Sequence, residues 1–448
     1  METEKLYEIF RGCSGVTTDS RTIRGGELFF ALKGENFDGN AFASKALEAG
    51  AAYAVVEGGS AFAGAGDRYI AVPDTLAALK HLAAYHRRHV REGLPVVGLT
   101  GTNGKTTTKE LVRAVLSSKF RVTATEGNFN NEIGVPLSVL RITPDTEIAV
   151  IEMGASHPGD IESLVAVSQP DMGLITNVGV GHIEGFGSFD GVKKTKGELY
   201  DYLCAHGGLA FVDVDNSDLV EMAAERPGLA VKGYGMSVSE SMVLPADASH
   251  PYLRMAIPEN YGVKGETLSD CLPVLETRLV GSYNASNVLA AIEVGLHFGV
   301  SLFEAIEAIS AYVPSNGRSQ MVRTERNVLV VDAYNANLSS MNAALDNFAQ
   351  MEGERKIVML GDMKELGSAS RAAHSEILSK VASMGVASYF VGPEFAAAGD
   401  DVPQLKDARF FPSAKALSEY LSSCMPEGAL ILVKGSHSTG MYGLADVL

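Results

Sequence analysis

Lys105 and Thr106, at the end of a glycine-rich turn, are the residues of this chain best suited to phosphate chemistry. Residues 96–107 read V-V-G-L-T-G-T-N-G-K-T-T. Backbone N–H groups at a helix start point at an anion, and the helix dipole favours it. Lys105 can reach the β- and γ-phosphates of a nucleotide, and the Thr106 hydroxyl can ligate Mg²⁺. Gly101, Thr102, Asn103, Gly104 and Thr107 complete the cradle. The strict pattern has glycine where this chain has Leu99, and its glycines sit at 98 and 101 instead, so the loop is a variant. The bland alternative is an ordinary strand-to-helix turn. Gly-Lys-Thr between an apolar run and a helical pattern favours the cradle.

Other polar residues stand at the ends of apolar runs, where open α/β sheets bind ligands. Glu152 follows 148–151 and could share a Mg²⁺ with Thr106, although a helix cap or salt bridge would also explain it. His182 closes T-N-V-G-V-G-H; a lone histidine is more often structural than a ligand. Lys193, Lys194 and Lys196 precede a helix-like stretch at 197–203, and on pattern alone they read as a solvated basic patch. Asn128, Asn130 and Asn131 crowd a loop that ends at Pro136, either to turn the chain or to bind a polar ligand. Asp332 and Lys434 each end an apolar run further on, which suggests a second ligand site facing the nucleotide.

These residues need a scaffold. The pattern predicts strands at 27–32, 52–56 and 69–72, then a helix from Asp74 to about 91. A nucleotide strand at 94–99 and a helix at 105–116 follow, with strands at 147–151, 172–176 and 209–214. An irregular β insertion is expected at 251–279, and helices at 283–298 and 302–312. After the turn Pro314-Ser315-Asn316-Gly317 come strands at 328–331, 357–360, 388–391 and 430–433. The expected fold is α/β in three domains: 1–92, small; 93–313, a P-loop unit with a mainly parallel sheet; 314–448, Rossmann-like.

Composition narrows the function. A chain of 448 residues exceeds one ordinary core. Its formal charge of −17 argues against nucleic-acid binding, which needs clustered lysine and arginine. Cys13, Cys204, Cys271 and Cys424 are far apart, so buried free thiols in a reducing compartment are expected. The start carries Glu2, Glu4 and Glu8 without an apolar core, and no run is long enough to span a membrane, so a cytoplasmic location is expected.

Taken in order, the motifs resemble the Mur ligase family of ATP-dependent amide-forming enzymes. They include T-T-D-S-R-T-I-R-G-G-E-L-F-F-A-L-K-G, G-T-N-G-K-T, G-N-F-N-N-E-I-G-V-P-L, I-E-M-G-A and T-N-V-G-V-G-H-I-E-G-F-G-S. T-K-G-E-L-Y, G-S-Y-N-A-S-N-V-L-A-A, G-R-S, D-A-Y-N-A-N, L-G-D-M-K-E-L-G-S and V-K-G-S follow. The resemblance covers nearly the whole chain. N-N-E-I-G-V-P, Y-N-A-N and G-D-M-K-E-L-G point to the branch whose amine is D-alanyl-D-alanine, and no D-N-P-R run marks the diamino-acid branch.

The resemblance implies a UDP-sugar-binding first domain, an ATP-binding central one and a third that brings the amine. The implied substrates are UDP-N-acetylmuramoyl-tripeptide and D-Ala-D-Ala, with ATP and two Mg²⁺ ions, in a monomer. It implies that Lys105, Thr106 and Glu152 serve the phosphates and first Mg²⁺, and that His182 helps hold a second. Lys196 matches the family's carbamylated lysine, whose added carboxylate binds metal. Asn287 and Arg318 match nucleotide contacts, with Asp332 near the ribose. Ser20 and Arg21 match UDP contacts, and Asn130 and Asn131 the muramoyl-peptide side. Two positions depart from the pattern: Leu338 stands where proline is usual, and His437 where arginine is usual. A folylpolyglutamate synthetase and a nucleotide-dependent switch are the rival readings, and only a ligase needs acceptor and amine together to release phosphate.

Overall fold

Four parallel strands, Val16–Thr17, Leu28–Phe30, Tyr53–Glu57 and Tyr69–Val72, form the first sheet in that order. The computed structural model describes all residues except 35–36, 182, 247–249, 259–260, 262–272, 315–316 and 406. A helix that the sequence reading did not identify, Thr3–Arg11, buries Leu6, Tyr7 and Phe10 on one face. Helix Thr75–His89 starts at Asp74, whose side chain accepts from Ala77 N. It ties the first unit to the next. Arg87 donates to the carbonyls of Ser168 and Gln169 and pairs with Asp171 at 2.8 Å. Leu6, Phe30, Leu79 and Leu82 share one apolar cluster with Val135, Ile151 and Leu164.

The second sheet has six parallel strands, ordered Ala230–Tyr234, Leu209–Asp213, Met172–Ile175, Val96–Thr100, Ile148–Glu152 and Val122–Ala124. Val96–Thr100 and Ile148–Glu152 are buried at every position, as strands covered on both faces must be. Helices Lys105–Ser117 and Ala285–His297 pack together over one face. Asp160–Ser168 and Phe189–His206 cover the other. Phe189–His206 is longer than expected, so Lys193, Lys194 and Lys196 lie on the helix and do not precede it. A small antiparallel sheet, Met242–Leu244, Arg254–Ala256 and Val274–Glu276, represents the β insertion, much of which lies outside the described residues.

The third sheet runs Gln320–Arg323, Val328–Asp332, Leu430–Lys434, Lys356–Gly361, Ala387–Val391, Ala408–Phe411. Only its first pair is antiparallel. Alternate residues feed two cores: Leu329, Ile357 and Ile431 on one face, Val330, Val358 and Leu432 on the other. The turn expected at 314–317 includes Ser315 and Asn316, which lie outside the described residues. Cys13 and Cys204 are half-buried and Cys424 is exposed, so the expected burial fails for Cys424; Cys271 lies outside the described residues. Among the described residues no helix is long and apolar enough to cross a membrane.

Candidate active site

Strand Val96–Thr100 delivers the chain to the loop, and helix Lys105–Ser117 leaves it. Gly104 caps that helix in the left-handed region, at φ 78°, and a Cβ there would lie 2.8 Å from Asn287 Oδ1. At Gly101, φ is 145° and a Cβ would lie 2.0 Å from Thr176 Oγ1. Both positions therefore demand glycine. Lys105 Nζ folds back onto the loop, donating to the carbonyls of Gly101 at 2.6 Å and Thr102 at 3.0 Å. Desolvation lowers its pKa to about 8, against the pull of Glu152 and with the help of Arg318.

Glu152 lies at the carboxyl end of the neighbouring strand and is 1% exposed. Its Oε1 accepts from Thr106 Oγ1 at 3.0 Å and from Asn130 Nδ2 at 2.8 Å. Its Oε2 is buried without a hydrogen-bond partner. A buried, unpartnered carboxylate oxygen beside a threonine hydroxyl fits a divalent cation. Among the described residues no three His, Cys, Asp or Glu side chains cluster as a metal site. His182, expected here, lies outside the described residues.

Lys196 is 2% exposed on the buried face of helix Phe189–His206. Its Nζ donates to Ala155 O at 3.4 Å and lies 5.3 Å from the Phe186 ring centre. Burial holds its pKa well below the usual lysine range, and the charge of Lys105 adds to this. The basic-patch reading thus fails for Lys196. It holds better for Lys194, which is exposed, and Lys193 is paired with Asp218 and Glu221.

One cavity of about 990 Å³ gathers most of the expected residues. Thr102 to Thr107, Asn128, Asn130, Asn131, Glu152 and Asn287 line it from the central unit. Arg318, Asp332, Tyr334, Lys364, Lys434 and His437 line it from the third. Lys196 sits behind this wall, reaching it at the Ala155 carbonyl. Asp332 accepts from Lys434 Nζ at 2.5 Å. The Arg318 guanidinium stacks 3.7 Å over Tyr334, and its buried Nε has no hydrogen-bond partner. Asn287 braces the loop helix, accepting from Thr108 Oγ1 at 3.0 Å. Asn131 Oδ1 accepts from Ile133 N at 3.2 Å and from Gly134 N at 2.8 Å, where the next helix begins. Ser20 and Arg21 lie outside the cavity; Arg21 is paired with Asp19 on the first unit. A smaller cleft of about 400 Å³, lined by Arg323, Arg326 and Gly353 among others, contains none of the expected residues.

The chain resembles known proteins in sequence and fold. Residues 13–87 match the Mur ligase family catalytic domain, 99–295 the Mur ligase middle domain, and 317–437 the Mur ligase glutamate ligase domain. The UDP-N-acetylmuramoyl-tripeptide–D-alanyl-D-alanine ligase of Escherichia coli is 35% identical over 97% of this chain and 93% of its own length. The Bacillus subtilis enzyme of that name is 36% identical over 81% of this chain and 76% of its own. The chain belongs to the Mur ligase family. A crystal structure of MurF from Acinetobacter baumannii superposes with a TM-score of 0.83 at 28% identity, covering 99% of this chain and 98% of that one. MurF from Thermotoga maritima, solved with ADP, gives a TM-score of 0.80 at 25% identity, over 97% and 96%.

In this Mur ligase the two unusual positions have simple structural settings. Leu338 is the first residue of helix Leu338–Gln350, where proline would also fit, and the capping box of Asn337 and Ser340 is intact. His437 packs against the rings of Tyr334 and Tyr442, with centres 5.3 and 5.2 Å away. Ser339 and Lys364, which no sequence pattern singles out, also face the cavity. The expectation for Lys196 rests on the family resemblance. Yet Val192, Lys196, Leu199 and Leu203 recur at helical spacing, and that spacing would have put Lys196 on a buried face.

Proposed function

We propose that this chain is an ATP-dependent ligase that joins D-alanyl-D-alanine to UDP-N-acetylmuramoyl-tripeptide in cytoplasmic peptidoglycan precursor synthesis. The observation that carries this reading is one cavity, walled by Lys105, Thr106 and Glu152 on one side and by Asp332, Lys364 and Lys434 on the other. It lies in a chain similar over most of its length to ligases of that name. In this reading residues 1–92 hold the UDP-sugar through Ser20 and Arg21, 93–313 hold ATP, and 314–448 bring the amine. Asn287, Arg318 and Asp332 contact the nucleotide, and Asn130 and Asn131 face the muramoyl peptide. In this reading the enzyme acts as a monomer.

The chemistry follows from the reactants. A carboxylate is a poor acyl donor because oxide is a bad leaving group. Its oxygen therefore attacks the γ-phosphorus of ATP, ADP departs, and an acyl phosphate forms. The dipeptide amine then attacks the acyl carbon. The tetrahedral species loses a proton from nitrogen, the carbon–oxygen bond to phosphate breaks, and amide and phosphate result. Lys105 leaves the carbonyls of Gly101 and Thr102 to meet the phosphates, where it offsets charge on the transferring group. Thr106 and the free Oε2 of Glu152 would hold Mg²⁺, which neutralises phosphate charge when bound. Burial holds the Lys196 pKa well below the usual lysine range, which favours the neutral amine that takes up CO₂ as a carbamate. With His182 that carbamate would hold a second Mg²⁺.

ADP formation with UDP-N-acetylmuramoyl-tripeptide, comparing D-Ala-D-Ala with single amino acids, tests this reading. Rapid ADP release and amide product are expected with the dipeptide only. Equal release without any amine would indicate a nucleotide switch instead.

A further inference from the structure

Asn103 is held in the nucleotide loop by its backbone. Its N–H donates to Asn177 Oδ1 at 2.9 Å, and its carbonyl accepts from Thr176 Oγ1 at 2.6 Å and Asn177 Nδ2 at 3.0 Å. Its side chain crosses to the third unit. Nδ2 donates to Ser339 Oγ at 2.9 Å, Ser339 Oγ donates to Asn337 Oδ1 at 2.9 Å, and Asn337 Nδ2 donates to Asn103 Oδ1 at 2.8 Å. The three side chains close a ring of three hydrogen bonds. Asn337 is 6% exposed and also caps helix Leu338–Gln350.

Two glycines make room for the ring. A Cβ on Gly179 would lie 3.2 Å from Ser339 Oγ. On Gly181 it would lie 3.0 Å from Thr102 Cγ2 and 3.1 Å from Asn337 Nδ2. The space, more than the backbone conformation, calls for glycine at both. The loop carrying the ring also offers the Gly101 and Thr102 carbonyls that Lys105 occupies. An arriving phosphate competes for that ammonium, so filling the loop and seating the ring involve the same short stretch of backbone.

We infer that the Asn103–Ser339–Asn337 ring is a positioning element that seats the amine-bearing domain on the nucleotide loop, so that the amine and not water meets the acyl phosphate. The inference rests on the ligase reading above. Ser339→Ala opens the ring and leaves the Asn337 cap in place. Asn337→Ser retains a capping oxygen but is too short to reach Asn103. Gly181→Ala presses a methyl group against the ring.

Phosphate and amide are measured together in the intact enzyme with ATP, UDP-N-acetylmuramoyl-tripeptide and varied D-Ala-D-Ala. In the folded variants the KM for the dipeptide should rise by about two- to tenfold, the equivalent of one net hydrogen bond. The KM for ATP should hold, and phosphate released should exceed amide formed. Equal phosphate and amide with an unchanged dipeptide KM would overturn the inference. So would a slower rate with stoichiometry preserved, which a merely structural role would give. If Ser339→Ala fails to fold, Asn337→Ser and Gly181→Ala decide the matter. Wild-type enzyme that makes no amide would instead sink the ligase reading itself.

Discussion

Thr106 and Glu152 stand 46 positions apart, and their side chains meet at 3.0 Å through Glu152 Oε1. The other carboxylate oxygen is left buried and unpartnered. The two duties of this carboxylate are therefore divided between its oxygens, one holding the loop and one free for a cation. Such a group strains the empty protein and is relieved by its ligand.

That division makes Glu152→Gln informative. The amide keeps the shape but removes the charge. Turnover should fall by about 100-fold or more, since the cation's electrostatic contribution is several kcal/mol. The nucleotide-free variant should melt no lower than wild type, because an amide replaces the unpartnered oxygen while the bonds from Thr106 and Asn130 can remain. Steady-state rates across a Mg²⁺ titration, with a thermal melt, check both halves. Full activity at ordinary Mg²⁺ would remove Glu152 from the metal site.

Lys105 gives a pH signature. Its pKa in the nucleotide-free fold is about 8, below the ordinary 10.5. Between those values the unfolded chain binds more protons, so the stability contributed by this group rises as pH rises from about 8 toward 10.5. Phosphates should restore the charged form. ATP binding near pH 8 should therefore take up protons, and the uptake should fade toward about pH 6, where Lys105 is already charged. Calorimetry in two buffers of different ionisation heat measures it. A binding heat independent of buffer at pH 8 would contradict the assignment.

For Lys196, alanine should abolish about 99% of activity or more, as loss of a metal-supporting group does. Added formate or acetate should restore part of it by supplying a small carboxylate. A carbamate signal should appear in the ¹³C spectrum of wild-type enzyme under labelled CO₂ and be missing from the variant. An unmodified amine under those conditions would rule the carbamate out.

Arg87→Met tests the seam between the first two units. The substitution deletes donors to Ser168 O, Gln169 O and Asp171. Loss of about 1–3 kcal/mol is expected, the cost of leaving the buried Ser168 carbonyl without its donor. Urea titration should show a lower midpoint, with ligase activity retained at low temperature. An unchanged midpoint would mean that the apolar contacts alone hold the seam.

The sequence revealed what local chemistry controls. Gly-Lys-Thr after an apolar run located the loop, and buried strands such as Ile148–Glu152 announced themselves by continuous apolar residues. Edge strands did not. Val122–Ala124 is half-buried and Ala230–Tyr234 is largely exposed at its start, so neither needs an apolar run, and both went unrecognised. Contacts between distant segments were equally silent. Nothing local to Ser339 reports that Asn103, 236 positions away, will meet it. Asn130 was legible as a cavity residue but not as a donor to Glu152, because that depends on how a loop folds over a neighbouring strand.

The apolar cluster shared by the first two units has a kinetic meaning. Leu79 and Leu82 pack in the same core as Val135, Ile151 and Leu164, whereas the third unit has two further cores, into which the central unit sends only Val280 and, at the edge, Tyr252. In the proposed reaction, the acyl donor and the phosphoryl donor are thus mounted on one body, and the nucleophile travels on another. Activation of the carboxylate needs no large motion and can proceed as soon as both donors are seated. Capture of the activated species depends on how often the second body arrives. The enzyme's fidelity against hydrolysis is then a race between docking and water, decided at a seam of polar side chains and not at the reacting carbon.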